Sequence, residues 1–327
     1  MLPRPIFIVG SPRSGTSVST WCVGQHPNIQ VMPETAWIAS LSIGSVIAFN
    51  KGSEREKFSH LSNVDFPRSE FLRHIGQAIH DIVCDAYEQR CQQVYGAKYR
   101  EKGIRPNPDK PAFGYQVRRS VDDPKTRWVD GTPLNSFYLW GLNQVFPEAK
   151  FIHNLRSPDE VVLSLAHFGN AGGTSQVIEE GLRTWQGHAE CAWLAEQAWG
   201  PEKVFRLEYP RLQDDRESLF IELMKFLGEE YTEDCLLPLE RKTNSSEVSD
   251  INGQQRSEIR AHPRYQQADE MFRQMQANQA GDEPAESLLR DRFMAHVEEV
   301  DLLDLDRTTG SAPDRKGRFF SFLRQPK

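Results

Sequence analysis

The sequence predicts an α/β fold: a central parallel sheet flanked by helices, with a mainly helical insertion and a helical C-terminal segment. Short apolar runs recur along the chain, and helix-patterned sequence separates each from the next. The first run, Phe7-Ile8-Val9, leads into a glycine-bounded loop and then a helix start. With 327 residues and 38% hydrophobic content the chain can fill a large core.

Residues 6–9 form the first strand. After the loop, Val18, Trp21 and Cys22 recur at helical spacing, and Gly24 with Pro27 ends that helix. Residues 29–32 read as a second strand stopped at Pro33. The insertion, about 37–124, is polar and helical, with Phe71, Ile75, Ile79, Ile82 and Val83 on one helical face and a surface loop at 106–111. Strands return at 128–129, 151–155 and 204–207. Helices lie between and after them, including 181–199 and 217–227, the latter closed by Gly228. Trp185, Trp193 and Trp199 read as core. Residues 252–282, rich in Gln, Arg and Glu, read as a solvated helix or a partly mobile segment. Leu288, Leu289, Phe293 and Val297 restore a helical stripe that docks on the sheet domain or on another subunit, which leaves a homo-oligomer open. Residues 1–306 are expected to be a single domain, and 307–327 a basic, flexible tail whose Phe319-Phe320-Ser321-Phe322-Leu323 run could meet a partner.

The loop Gly10-Ser11-Pro12-Arg13-Ser14-Gly15-Thr16-Ser17 is P-loop-like. Gly10, Gly15 and Ser17 fall where a nucleoside-triphosphate loop keeps its glycines and hydroxyl, but Thr16 stands at the lysine position. Glycines let the backbone approach an anion, and the unpaired amides of the following helix favour negative charge. Arg13 adds a planar, permanently charged fork. No strand reads as ending in an aspartate that provides magnesium support. A metal-free anionic donor is therefore expected rather than ATP or GTP, and no metal site.

The formal charge of −7 argues against a broad nucleic-acid surface. Five cysteines, an odd number with no Cys-x-x-Cys pair, point to a reducing compartment and no cysteine metal site. The N-terminus has no signal-peptide pattern, and no run reaches the roughly 20 apolar residues of a membrane span. A cytoplasmic protein is expected.

In a parallel sheet ligands collect beyond the carboxyl ends of the strands, so the residues following each strand form one group: 11–17, Glu34, Asp130 to Thr132, Arg156 with Ser157, and Glu208 with Tyr209. Ser157-Pro158-Asp159-Glu160 reads as a helix start with Ser157 as its N-cap, which holds Arg156 beside a second helix N-terminus. Ser164 lies two turns on, and spacing alone does not pair it with Arg156. His153 and His167 read as packed or hydrogen-bonded. Arg118, Arg119, Lys125 and Arg127 could attract an acidic peptide.

These residues resemble the sulfotransferases that use 3′-phosphoadenosine 5′-phosphosulfate (PAPS). The loop 10–17 matches the one that holds the 5′-phosphosulfate. Arg156 followed eight places later by Ser164, with Leu165-Ala166-His167-Phe168 after it, matches the second signature. Within that superfamily the Pro12-Arg13-Ser14-Gly15-Thr16 loop and the run from His26-Pro27 to Pro33-Glu34-Thr35 look most like tyrosylprotein sulfotransferases and related bacterial enzymes. The likeness covers about 4–40 and 127–230. It implies that Glu34 is the general base and that Arg13 stabilises the transferring group, with Ser14, Gly15, Thr16 and Ser17 around the 5′-phosphate. It also implies that Arg156 and Ser164 grip the 3′-phosphate, and that Ser245 or Ser246 touches the donor.

Sulfuryl transfer to a hydroxyl needs a proton acceptor and donors for the growing charge, which Glu34, Arg13 and the loop amides would supply without a metal. Two features depart from the family pattern. A lysine common in the turn that here reads Asp130-Gly131-Thr132-Pro133 is absent, and the late glycine-bearing loop over the adenine is not evident. The resemblance implies a hydroxyl-bearing acceptor: a tyrosine peptide, a sugar or a small-molecule alcohol. An atypical P-loop kinase using ATP and a non-catalytic nucleotide-binding scaffold on the same fold stay open as alternatives.

Overall fold

The computed structural model describes residues 2–101, 123–240, 253–278 and 284–308. Five strands, β1 (Ile6–Val9), β2 (Ile29–Val31), β3 (Arg127–Asp130), β4 (Lys150–Leu155) and β5 (Val204–Glu208), form one sheet in the order β2-β3-β1-β4-β5. Every pairing is parallel, with Ile6 opposite both Val129 and Lys150, and Phe151 opposite Val204. The helices are α1 (Thr16–Val23), α2 (Trp37–Ser53), α3 (Arg68–Tyr95), α4 (Leu139–Val145), α5 (Pro158–Ala166), α6 (Ile178–Trp199), α7 (Arg211–Asp214), α8 (Arg216–Leu227), α9 (Gln254–Ala261), α10 (Pro263–Gln276) and α11 (Ala285–Thr308). This is the predicted fold, with a helical segment after β2 and a helical C-terminal part.

Strand β1 shows why the sheet is covered twice. All four of its residues are fully buried, and successive side chains point to opposite faces. Ile6 and Ile8 pack with Cys22 and Val23 of α1 and with Leu219, Phe220, Leu223 and Met224 of α8. Phe7 and Val9 join the other face, where α2, α3, α4, α6 and α11 contribute. Phe7 meets Trp128 edge-on at 5.5 Å and stacks on Phe151 at 5.6 Å. A third apolar cluster joins Leu155, Val161, Val162 and Trp185 to Ile259, Ala268 and Met275, bringing α9 and α10 onto α5 and α6.

Several expectations change. Residues 254–276 are docked helices rather than a solvated segment: Arg260 pairs with Asp159 at 2.7 Å, and Arg264 with Glu179 at 3.0 Å. Their apolar stripe is sparse, so the polar composition hid the docking. Ile82 is 52% exposed. At about 100° per residue it lies on the flank of α3 where Phe71, three turns earlier, is met by Phe49 of α2. Lys125 and Arg127 are buried, so neither is placed to attract a peptide. The Lys125 ammonium donates to the carbonyls of Gly24, His26 and Ile29, closing the end of α1. Arg127 pairs with Glu229 at 2.7 Å and donates to the Leu227 carbonyl. The 288–297 stripe docks on the sheet domain through Leu289, Phe293 and Val297. The loop 106–111, Arg118, Arg119, Ser245, Ser246 and the tail beyond 308 lie outside the described residues.

Candidate active site

Because the strands are parallel, every carboxyl end opens on one rim. Along it stand Glu34 after β2, Asp130 closing β3, the 10–17 loop after β1, Arg156 after β4 and Tyr209 after β5. The order places the two arginine-bearing turns on neighbouring strands.

The loop turns on two glycines. Gly10 has φ +127°, and a Cβ there would come within 2.5 Å of the Asn154 carbonyl oxygen. Gly15 has φ +100°, and its Cβ would meet the Tyr209 ring at 2.9 Å. Arg13 also adopts a left-handed φ, +69°, which a non-glycine residue takes at some cost. Three side chains brace the loop. Ser136 accepts the Gly10 amide at 3.0 Å, and Asn154 donates to Ser19 in α1 at 2.8 Å. Ser14 turns inward, its amide and hydroxyl both donating to the Ser11 carbonyl. Helix α1 then begins at Thr16, and its first backbone bond runs from the Ser19 amide to the Gly15 carbonyl. The amides of Thr16, Ser17 and Val18 therefore precede the intrahelical ladder, with the dipole behind them.

Arg13 and Arg156 share one crevice. Arg13 Nε donates to Ser164 Oγ at 3.0 Å, and its guanidinium lies 4.7 Å from the Phe168 ring centre. Arg156 Nη1 donates to the Arg13 carbonyl at 3.1 Å, its Nε pairs with Glu160 at 3.1 Å, and its guanidinium lies 4.0 Å over Tyr209. Partial burial, then the neighbouring Arg156 charge, lower the pKa of Arg13, with Tyr209 opposing. Two cations at this proximity suit a ligand of more than one negative charge.

Ser164 is thus tied to Arg13, on the loop 151 residues before it. Ser157 occupies the N-cap position of α5, but its side chain makes no cap bond. Trp185 fixes the Arg156 backbone by donating to its carbonyl at 2.9 Å.

On the other side, Glu34 is exposed at the rim, directly after Pro33. Partial desolvation, then the Asp130 carboxylate, raise its pKa. Its turn is locked by Asp130, which is fully buried and accepts four bonds: from the Thr132 amide and hydroxyl, the Thr35 hydroxyl and the Asn135 amide. Thr132 in turn accepts the Thr35 amide at 2.8 Å. Strand β3 runs one residue beyond the expected 128–129 at each end and so closes on Asp130, the residue the sequence placed just after it. Gly131 shows why no lysine stands in this turn: a Cβ would lie 1.9 Å from Thr20 Oγ1 of α1.

His153 is buried, its Nδ1 bonded to Glu196 at 2.6 Å, and Nε2 of His167 bonds Gln255 at 2.7 Å. Sequence reasoning gave no role to Phe168, Ser136, Asp130 or Tyr209. Only the position of the last two after a strand pointed to them.

A curated relative, an uncharacterized protein of Aquifex aeolicus (strain VF5), is 26% identical over 245 residues, 72% of this chain and 26% of that protein. The chain therefore spans about a quarter of that relative's length. Among solved structures, the sulfotransferase domain of the Synechococcus PCC 7002 olefin synthase is 18% identical with a TM-score of 0.45, covering 83% of this chain and 96% of that one. Sulfotransferase STF9 from Mycobacterium avium is 16% identical with a TM-score of 0.39, covering 80% and 76%. The model of the sulfotransferase family matches residues 5–233, from the first strand past the fifth and across every rim residue described above. That span is well over half of the chain, which belongs to the sulfotransferase family.

Proposed function

We propose that this protein transfers a sulfuryl group from PAPS to an acceptor hydroxyl. The observation that carries the reading is the crevice in which Arg156 bonds the Arg13 carbonyl while Arg13 bonds Ser164, beside a loop shaped for an anion. The nucleotide fits this cradle in kind. Gly15 leaves no room for a Cβ against Tyr209, the first amides of α1 face outward from their ladder, and both signature arginines are in reach of one ligand.

When bound, the donor supplies the electrophilic sulfur and a bisphosphate leaving group. The amides of Gly15, Thr16 and Ser17, with the Thr16 and Ser17 hydroxyls, hold its 5′ side, while Ser14 keeps the loop closed. Arg156 and Ser164 take the 3′-phosphate, and Ser245 or Ser246, outside the described residues, is the late serine assigned to the donor. Arg13 neutralises charge as it moves from the sulfuryl group to the leaving oxygen. Glu34 accepts the acceptor's proton, and its raised pKa brings it nearer the working pH of a base. The helical segment after β2 forms the acceptor side. All five cysteines are free thiols, and no helix among the described residues is long and apolar enough to cross a membrane.

Use of ATP is less well supported. Thr16 replaces the lysine such a loop needs, and Asp130 already accepts four bonds. The test is incubation with sulfur-35-labelled PAPS and an alcohol. Label in the alcohol with stoichiometric release of adenosine 3′,5′-bisphosphate is expected, and turnover of magnesium-ATP in its place would overturn the reading.

A further inference from the structure

The geometry points to an acceptor with an apolar body, which lays that body along the exposed face of α2 while its hydroxyl meets Glu34. The inference rests on the sulfuryl-transfer reading and names the substrate class of the same site.

Helix α2 starts three residues after Glu34, turned there by Ala36 at φ +46°. Its inner side, Ile38, Ala39, Ile43 and Val46, is buried in the core. Its outer side carries Trp37, Leu41, Gly44 and Ala48 at i, i+4, i+7 and i+11, one stripe about 16 Å long. Trp37 is 37% and Leu41 41% exposed, and a Cβ at Gly44 would meet nothing. Ser40, the polar neighbour, turns its hydroxyl back to the Ala36 carbonyl. No charge appears before Lys51, which pairs with Asp301 at 3.2 Å. In a chain with 26% charged residues, a three-turn exposed face without one departs from a solvated helix.

Sheet order gives the side from which an acceptor reaches Glu34. The arginine crevice lies on the β1, β4 and β5 side, whereas β2 is the edge strand on the opposite side. Behind Glu34 the turn is closed by Thr35, Thr132 and Asp130. An acceptor reaching Glu34 opposite the donor therefore comes from the β2 side of the rim, where the chain leaves Glu34 and enters α2 three residues later. Trp37, three residues after Glu34, offers a flat, partly exposed apolar surface, and Gly44 lets a ligand approach the helix backbone.

The test uses the full chain and 4-alkylphenols from methyl to hexyl, with a phenyl glycoside and an acidic tyrosine peptide as polar comparators. Wild type and Leu41→Asp are compared, and calorimetric binding of adenosine 3′,5′-bisphosphate is measured on both. The expected result is a kcat/KM that rises about two- to fourfold per added methylene in wild type. In Leu41→Asp the hexyl compound loses at least about tenfold, with bisphosphate affinity unchanged. A flat series, a preference for a polar comparator, or an unaltered series in Leu41→Asp overturns the inference and leaves the sulfuryl-transfer reading standing. If wild type fails to bind the bisphosphate, that reading falls instead, and direct binding of 4-hexylphenol, lost or retained in Leu41→Asp, still decides for or against the face. A Leu41→Cys chain that resists a soluble maleimide without any ligand would show the stripe already covered, and also overturns the inference.

Discussion

Replacing Arg13 with lysine keeps a positive charge on the loop and deletes the planar fork. Two contacts go with it: the Nε donation to Ser164 at 3.0 Å and the stack on Phe168 at 4.7 Å. A hydrogen bond from a charged group is worth about 1.5–3 kcal/mol, and a cation–π contact at a half-buried site about 1 kcal/mol. If both serve to hold the guanidinium at the transferring group, Arg13→Lys removes about 2–4 kcal/mol of transition-state stabilisation, roughly a 30- to 1000-fold loss in kcat. The backbone carbonyl of residue 13 remains, so the Arg156 contact survives. Affinity for adenosine 3′,5′-bisphosphate, which lacks the transferring group, is then expected to fall by less than about tenfold. Burial and Arg156 disfavour the charged form of Arg13, so its replacement is not expected to lower the thermal midpoint of the ligand-free protein. The assay is steady-state transfer from labelled PAPS alongside calorimetry and thermal unfolding. A variant with kcat within twofold of wild type would refute the role given to the fork.

Three further outcomes are expected. Glu34→Gln loses about 10²- to 10⁴-fold in turnover with nucleotide binding retained. In wild type the rate rises with pH through a midpoint above the usual carboxylate value, since desolvation and then Asp130 raise the Glu34 pKa. A raised carboxyl pKa favours the protonated folded form, so Glu34 weakens the fold as pH rises through that midpoint, and Glu34→Gln should be no less stable at neutral pH. Gly131→Ala puts a Cβ 1.9 Å from Thr20 Oγ1, which is itself tied to the Thr16 carbonyl, and costs about 2 kcal/mol or more in urea unfolding. Adding Thr20→Ala should recover most of that loss. Burial takes the pKa of His188 down to about 4, against the Thr184 carbonyl bond. The unfolded chain then binds a proton that the folded one refuses, so stability is full above about pH 6.5 and falls by about 3 kcal/mol toward pH 4. His188→Gln should flatten that slope in acid titrations of the unfolding midpoint.

What the sequence discloses depends on how local the cause is. Strands β1 and β4 were readable because both of their faces are covered, which forces unbroken apolar runs such as Phe7-Ile8-Val9. The loop was readable because its glycines answer to backbone angles, φ +127° at Gly10 and +100° at Gly15, whatever neighbours also crowd them. Family-based reading brought Arg156 to the same crevice as Arg13. It did not disclose that Ser164 bonds Arg13, 151 residues earlier, since that contact is set by the packing of α5 against the loop. Asp130 and Gly131 are equally non-local: the first gathers Thr35, Thr132 and Asn135, and the second exists because α1 passes close by. Lys125 and Arg127 looked like surface charge, yet each closes a distant backbone end, and burying a cation with carbonyl partners leaves no compositional trace. Ile82 failed for the converse reason, because periodicity marks a face but not how far along it a neighbour extends.

The most direct measurement is a paired calorimetric titration of wild type and Arg156→Ala with adenosine 3′,5′-bisphosphate and with magnesium-ATP. The account predicts that wild type binds the bisphosphate at least about tenfold more tightly than ATP, and that Arg156→Ala erases most of the difference by removing the contact to the 3′-phosphate. Equal binding of the two nucleotides, or a preference for ATP that Arg156→Ala leaves intact, would contradict it.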